Sequence, residues 1–173
     1  MTSAVMSPKP KTAVNEHGVA FDVGNGRARW LPYNGKTTMT STGGPISALA
    51  LSPAGQYLAI ARKDARVLTI LRLQTGEEVE MQVGTTGCDD ITALYFTNKS
   101  NKLYAGDRNG TLVVWHLTSK KIGSVLPQLL RKDLGCIRAI TKYQDGLYIS
   151  VADGVSLQKV DPSSGQHMDE YPM

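Results

Sequence analysis

Cysteine is scarce in this chain: its 173 residues include two, Cys88 and Cys136. Two thiols make no disulfide framework, and no CxxC spacing offers a zinc site built on cysteine pairs. The composition fits a reducing compartment. Long apolar runs are missing too, since none approaches the ~20 residues of a membrane span. The opening MTSAVMSPKPKTAVNEHG lacks the apolar stretch of a secretory signal. No glycine stands at position 2 for myristoylation, and no cysteine near the end for prenylation. The expectation is a soluble intracellular protein of cytoplasm or nucleus, without membrane contact. Charge of one sign is also limited: 19 Lys and Arg against 15 Asp and Glu leave +4. That permits a nucleic-acid or acidic partner and requires neither. With 41% hydrophobic and 20% charged residues, wholesale disorder is excluded.

Groups that do chemistry are as sparse. His17, His116 and His167 lie far apart, and no spacing pairs them as metal ligands. Gly35-Lys36-Thr37 resembles the end of a phosphate loop, but Trp30 stands where that loop needs a glycine. Gly24-x-Gly26 reads as a hairpin turn, because no helix pattern follows. No GxSxG occurs. The expectation is a protein without catalytic activity, cofactor or metal.

What is present is a repeat. ISALALSPAGQYLAIARKDARVLTILRLQTGEEV begins at Ile46, ITALYFTNKSNKLYAGDRNGTLVVWHLTSKKI at Ile91, and IRAITKYQDGLYISVADGVSLQKVDPSSGQ at Ile137. The starts are 45 and 46 residues apart. Each unit has an apolar start, a turn, a second apolar run, a tight turn, and a third run ending at Leu71, Trp115 or Val160. Turn residues Gly76, Lys120 and Gly165 follow five positions later. A truncated copy precedes them, with Trp30 in the same slot, Gly35 beyond it and Asn25-Gly26 as its hairpin turn. The slot positions 30, 71, 115 and 160 are spaced 41, 44 and 45 residues apart. The runs are short, rich in Val, Ile, Leu and Tyr, and separated by Gly, Asn, Asp and Ser. That pattern predicts strands. Three or four strands in ~45 residues, repeated, predict propeller blades.

At these residues the chain resembles the WD-repeat β-propeller family. LSPAGQYLA at 51–59 is similar to the family's FSPDGxxLA, WHLTSKK at 115–121 to its WDxxTGK, and VDPSSGQ at 160–166 is a third version. The resemblance covers about 19–168. No Gly-His dipeptide precedes a repeat, and the Trp-Asp pair is reduced to Trp115-His116, Leu71-Arg72 and Val160-Asp161. The hydrogen-bond tetrad that locks family blades is therefore expected to be missing from most of these. The phenylalanine slot of the last repeat holds Lys142. The expected organisation is a mobile tail over 1–18, a partial blade over 19–41, and blades over 46–80, 91–124 and 137–168.

Propellers of this family usually close seven blades, about 300 residues at ~40–45 per repeat. Three and a half to four blades imply an incomplete ring, completed by a missing C-terminal half or a second copy. A closed four-bladed ring is the rarer alternative. In an open arc the outer face of the last blade is expected to expose Ile137, Ile140, Leu147 and Ile149.

In a propeller, the loops between blades share one rim with the turns between second and third strands. Here these are 41–45, 83–90 and 124–136, with the turns at 62–66, 107–110 and 152–154. Loops on a rigid scaffold are the usual binding surface. The candidate partner-binding residues are Arg62, Lys63, Arg66, Arg108, Leu129, Leu130, Arg131 and Lys132. The 124–136 link reads either as a docking element or as an outer strand followed by one helical turn. Both cysteines, just before first strands, read as packing residues.

Two functions follow. One is a non-catalytic scaffold, a propeller subunit of a multi-protein assembly. The other is a nucleic-acid-associated propeller of a ribosome-assembly particle. The short ADG turn and missing Trp of the last repeat faintly resemble the nucleolar propellers of the small-subunit processome. The rim loops contain no aromatic residue to stack on bases, which favours the scaffold.

Overall fold

Alternation within each short apolar run decides where its side chains go, because successive residues of a strand face opposite ways. The computed structural model describes residues 11–35, 38–84, 86–117, 122–151 and 156–172. These form four antiparallel four-stranded sheets, each built from consecutive strands. The first holds β1 (Thr12–Asn15), β2 (Gly18–Asp22), β3 (Arg27–Pro32) and β4 (Met39–Thr42). The second holds β5 (Ile46–Leu51), β6 (Tyr57–Arg62), β7 (Val67–Arg72) and β8 (Glu78–Gln82). The third holds β9 (Ile91–Phe96), β10 (Lys102–Asp107), β11 (Leu112–His116) and β12 (Gln128–Arg131). The fourth holds β13 (Ile137–Tyr143), β14 (Gly146–Val151), β15 (Ser156–Val160) and β16 (His167–Pro172).

The four sheets stack as propeller blades. Their first strands lie side by side in the order β1, β5, β9, β13. Thr92 of β9 donates its hydroxyl to the carbonyl of Ile137 of β13, tying two of them together. Small residues line this inner edge, Ala48 and Ala50 on β5 and Ala93 on β9, where neighbouring strands crowd. No comparable contact joins the fourth blade to the first among the described residues, so the blades form an open arc.

Three apolar seams hold the arc. Leu58, Ile60 and Leu71 of the second blade meet Ala20, Ala28 and Trp30 of the first. The opposite face of the second blade, with Leu68, Ile70 and Met81, meets Leu103, Val113 and Trp115 of the third. The far face of the third blade, with Tyr104, Leu112 and Val114, meets Ile137, Leu147 and Ile149 of the fourth. Removing apolar surface from water at ~25 cal/mol per Å2 makes these seams the main stabilising term.

Three expectations need correction. The segment 1–18 is not wholly a tail: residues 12–15 form β1, antiparallel to β2 with Ala13 opposite Ala20, so the first blade is complete. Asn15 Nδ2 also donates to the carbonyl of Ser52 in the next blade, at 2.9 Å. Residues 1–10 lie outside the described residues. Second, Trp30 is not in the slot of Trp115. Leu103 pairs with Trp115, Leu58 with Leu71 and Leu147 with Val160, and the matching pair in the first blade is Val19 with Leu31. Trp30 therefore faces forward into the second blade, whereas Trp115 faces back. Gly18 makes room for it, since a Cβ there would run into the indole ring.

Third, Ile137, Ile140, Leu147 and Ile149 are not exposed at the end of the arc; all are buried against the third blade. The free face of the fourth blade carries Tyr148, Leu157, Lys159 and Tyr171 instead. Lys159 replaces Ile70 and Val114 of the earlier blades, as its pairing with Tyr148 shows. Its ammonium reaches Asp145 at 3.4 Å and lies 6.0 Å from the Tyr148 ring centre.

Candidate interaction rim

Tight turns carry this rim, and glycine sets their shape. Asn25 and Gly26 both have positive φ, 53° and 70°, giving the two-residue turn that Asn-Gly favours. At Asn109-Gly110 the turn is wider: only Gly110 is left-handed, at φ 84°, and its N–H donates back to Asp107. Both glycines then meet the loop leading to the next blade. A Cβ on Gly26 would strike the carbonyl of Gly43, and one on Gly110 would come within 2.5 Å of the Gly135 nitrogen. The inter-blade loops and the second-to-third-strand turns therefore do share one rim in the first three blades. The turn expected at 152–154 lies outside the described residues.

Two buried charged groups lock this rim. Arg62 sends Nη1 to the carbonyls of Gly26 and Gly44, both at 2.8 Å, and Nη2 to Ser41 Oγ at 3.0 Å. Burial pushes its pKa down, against the raising effect of Glu78 and Asp22. It clamps the first blade to the second and offers nothing to a partner, which corrects its place among the candidates. In the third blade Asp107, fully buried, accepts from the N–H groups of Asn109 and Thr111 through Oδ1. Its Oδ2 accepts from the N–H of Asp89, fixing the preceding loop. Cys88 is buried beside it, and burial first, then Asp107 and Asp89, push its thiol pKa up. Cys136 is half-buried.

The other candidates divide. Lys63, Arg66, Arg108 and Lys132 are exposed on this rim. Arg108 pairs with Asp90 at 2.8 Å, and Arg66 lies 3.9 Å from Asp89. Leu129, Leu130 and Arg131 belong instead to β12, the outermost strand of the third blade. Leu129 is 41% exposed, whereas Leu130 packs partly into the third seam. Arg131 donates to the carbonyl of Gly165 in the fourth blade at 3.4 Å. The 124–136 link is thus mainly an outer strand, with a 3-10 turn at Ile122–Ser124 before it rather than a helical turn after it. Ile122 and Leu134 are buried and Leu126 is exposed.

The opposite rim was not singled out in the sequence, and it holds two clefts. One, between the first two blades, is lined by Glu16, His17, Trp30, Tyr33 and Leu73 among others, with a volume of about 1140 Å3. The other, about 610 Å3, lies between the third and fourth blades and is lined by lysines. A third, smaller cleft of about 260 Å3 runs along the inner strands, where Lys11 and Arg138 sit. Among the described residues no three His, Cys, Asp or Glu gather as a metal site, and no helix is long and apolar enough to cross a membrane.

No family model matches the chain, and no curated protein does. Solved structures do. The chain is similar to Hsv2 of Kluyvelomyces marxianus, a WD-repeat propeller, with a TM-score of 0.68 over 94% of its length at 12% identity. It is also similar to a chain of a Nidogen/Laminin complex, whose propeller it matches with a TM-score of 0.72 over 95% of its length at 16% identity. The fold is a β-propeller arc. The chain spans 61% and 64% of the lengths of these two structures.

Proposed function

We propose that the protein is a non-catalytic scaffold of the WD-repeat type, which holds partner proteins on the rim carrying Lys63, Arg66, Arg108 and Lys132. The observation that carries the reading is the way this rim is built. Its turns are pinned from below by Arg62 and Asp107, so exposed side chains stand on backbone that is already ordered. A partner binding there loses little free energy to ordering the loops. The exposed arginines are partnered by Asp90 and Asp89, which leaves mixed charge rather than the unbroken positive field that a phosphate backbone requires. No aromatic residue stands among the described residues of this rim, so stacking on bases has no platform. A partner protein with its own mixed-charge surface fits better. In the cell, further blades or a second copy complete the arc, and the setting is the cytoplasm or nucleus.

The test is a charge-reversed variant, Lys63→Glu with Arg66→Glu and Lys132→Glu. Complexes isolated with the wild-type protein should lose their partners, while circular dichroism of the variant stays that of the folded protein. A variant that keeps every partner would overturn the rim assignment. Retention on RNA that falls steeply with salt would transfer the reading to a nucleic-acid-associated propeller.

A further inference from the structure

The same register position is Leu51 in the second blade, Phe96 in the third and Lys142 in the fourth. Each pairs with the first apolar residue of the next strand, namely Leu58, Leu103 and Leu147. Leu51 and Phe96 are buried and plug the lower end of the seam with the blade before. Lys142 is exposed and cannot plug it. At that place a cleft of about 610 Å3 opens between the third and fourth blades.

The walls of this cleft are cationic and polar. Lys142 stands on the fourth-blade side. Opposite it stands Lys102, next to Leu103 on the face of β10 that looks toward the fourth blade, and Lys99 lies in the turn above. Asn98, Asn101 and Ser163 add neutral hydrogen-bonding groups, and among the described residues no carboxylate lines the cleft. Two carboxylates stand near the cleft but outside its lining. Asp161 accepts from the N–H groups of Ser163 and Ser164, and it is held below the usual carboxylate range first by its Ser164 and Ser163 bonds and last by Lys102. Asp145 pairs with Lys159 on the free face of the blade. The floor is fixed: the phenol of Tyr104, itself buried, donates to the carbonyl of Pro162 across the seam at 2.9 Å.

We infer that this cleft binds a compact polyphosphate-bearing small molecule. Three lysines line this one cleft, and lysine serves phosphate as a mobile point charge. Asp161 acts on Lys102 from outside the lining, and the Lys142 ammonium donates to the carbonyl of Gln144 at 3.0 Å. The volume is that of a small-ligand site. The ring of Tyr104 is covered, so successive bases of a nucleic-acid strand find no row of open stacking faces. The site is independent of the opposite rim, so the scaffold reading can fail without it.

Inorganic tripolyphosphate is the probe, titrated into the full chain in a calorimeter at low and moderate salt. Binding is expected, weakening as salt screens the lysines. Lys142→Leu, which places in the slot the residue type found at Leu51, should weaken it by at least about tenfold without lowering the thermal midpoint. Lys99→Gln, in an exposed turn that bears no packing, is the second variant and should also weaken it. Lys63→Leu on the opposite rim should leave affinity unchanged. No binding tighter than about 1 mM, wild-type affinity in Lys142→Leu or in Lys99→Gln, or as large a loss in Lys63→Leu would each overturn the site. Oligonucleotides that outbind tripolyphosphate and tighten with length would overturn the compact ligand in favour of a strand.

Discussion

The indole Nε1 of Trp115 in the third blade donates to the carbonyl of Gln82 in the second, at 3.3 Å. The ring is fully buried in the second seam, so one side chain supplies both apolar area and a directional bond between blades. Trp115→Ala should cost about 3–5 kcal/mol, as for other large core aromatics. Trp115→Phe should keep most of the area and lose about 1 kcal/mol for the missing donor. Urea midpoints of the two variants check the order; equal midpoints would place Trp115 outside the load path.

Arg62 is the counterpart of this bond at the first seam. Arg62→Met should destabilise by about 2–3 kcal/mol, because the carbonyls of Gly26 and Gly44 lose a charged donor in a buried place. Arg62→Lys should not restore stability, since a single ammonium does not span two carbonyls and Ser41 Oγ as the planar guanidinium does. Thermal midpoints of both variants, compared with wild type, are the measurement.

Two left-handed glycines separate backbone preference from crowding. Gly76 has φ 75° and open space around a would-be Cβ, so Gly76→Ala should cost about 1–2 kcal/mol for the left-handed backbone alone. Gly110 has φ 84° and the backbone of Leu134 and Gly135 within 2.6 Å of that position. Gly110→Ala should cost clearly more, because backbone must move. Similar losses in denaturant midpoint would show that the turn and the 132–136 loop do not touch.

Alkaline pH should weaken the fold through Cys88. Its folded-state thiol pKa lies above the unfolded value of about 8.5, because burial disfavours the thiolate. Above that pH the unfolded chain gives up the proton and the folded chain keeps it, so stability falls as pH rises. Urea midpoints from neutral pH to about pH 10 should decline, and Cys88→Ala should flatten part of the slope. In native protein a thiol reagent should modify the half-buried Cys136 first. Equal rates at both cysteines would contradict the burial of Cys88.

Lys159→Ile would return the fourth blade to the pattern of Ile70 and Val114. It would also remove the ion pair with Asp145 and leave an apolar strip between Tyr148, Leu157 and Tyr171 on the free face. Sedimentation should then show association that grows with concentration. A variant as monodisperse as wild type would mean that Lys159 is not what keeps this face apart from others.

The repeat was legible because its signals are local. Ile91, Leu94, Phe96, Leu103 and Trp115 fall into strands by their own spacing, and Asn25-Gly26 forms the turn its two residues favour. Trp30 misled because an apolar pair, Trp30-Leu31, fits the slot in either register, and only the pairing of Val19 with Leu31 decides between them. β1 was hidden because only Ala13 and Asn15 of its four residues are even half-buried, leaving little apolar pattern to read. Arg62 looked like a surface charge because its partners are two backbone carbonyls and the hydroxyl of Ser41, a set that leaves no mark in a sequence. The lysine cleft joins Lys99 and Lys102 to Lys142, some forty positions on, and only the stacking of blades brings them together.

Among the described residues the three seams share no buried residue: the second and third sheets each give one face to the neighbour before and the other to the neighbour after. Every strand pairing, moreover, closes within a single repeat. Coupling along the arc is then one-dimensional, like that of magnets in a row, each sensing only its two neighbours. Damage at one seam reaches a distant one only by unravelling the blades between. The end blades, held from one side, open first and exchange their amide hydrogens fastest, while the middle pair keeps the longest memory of the folded state.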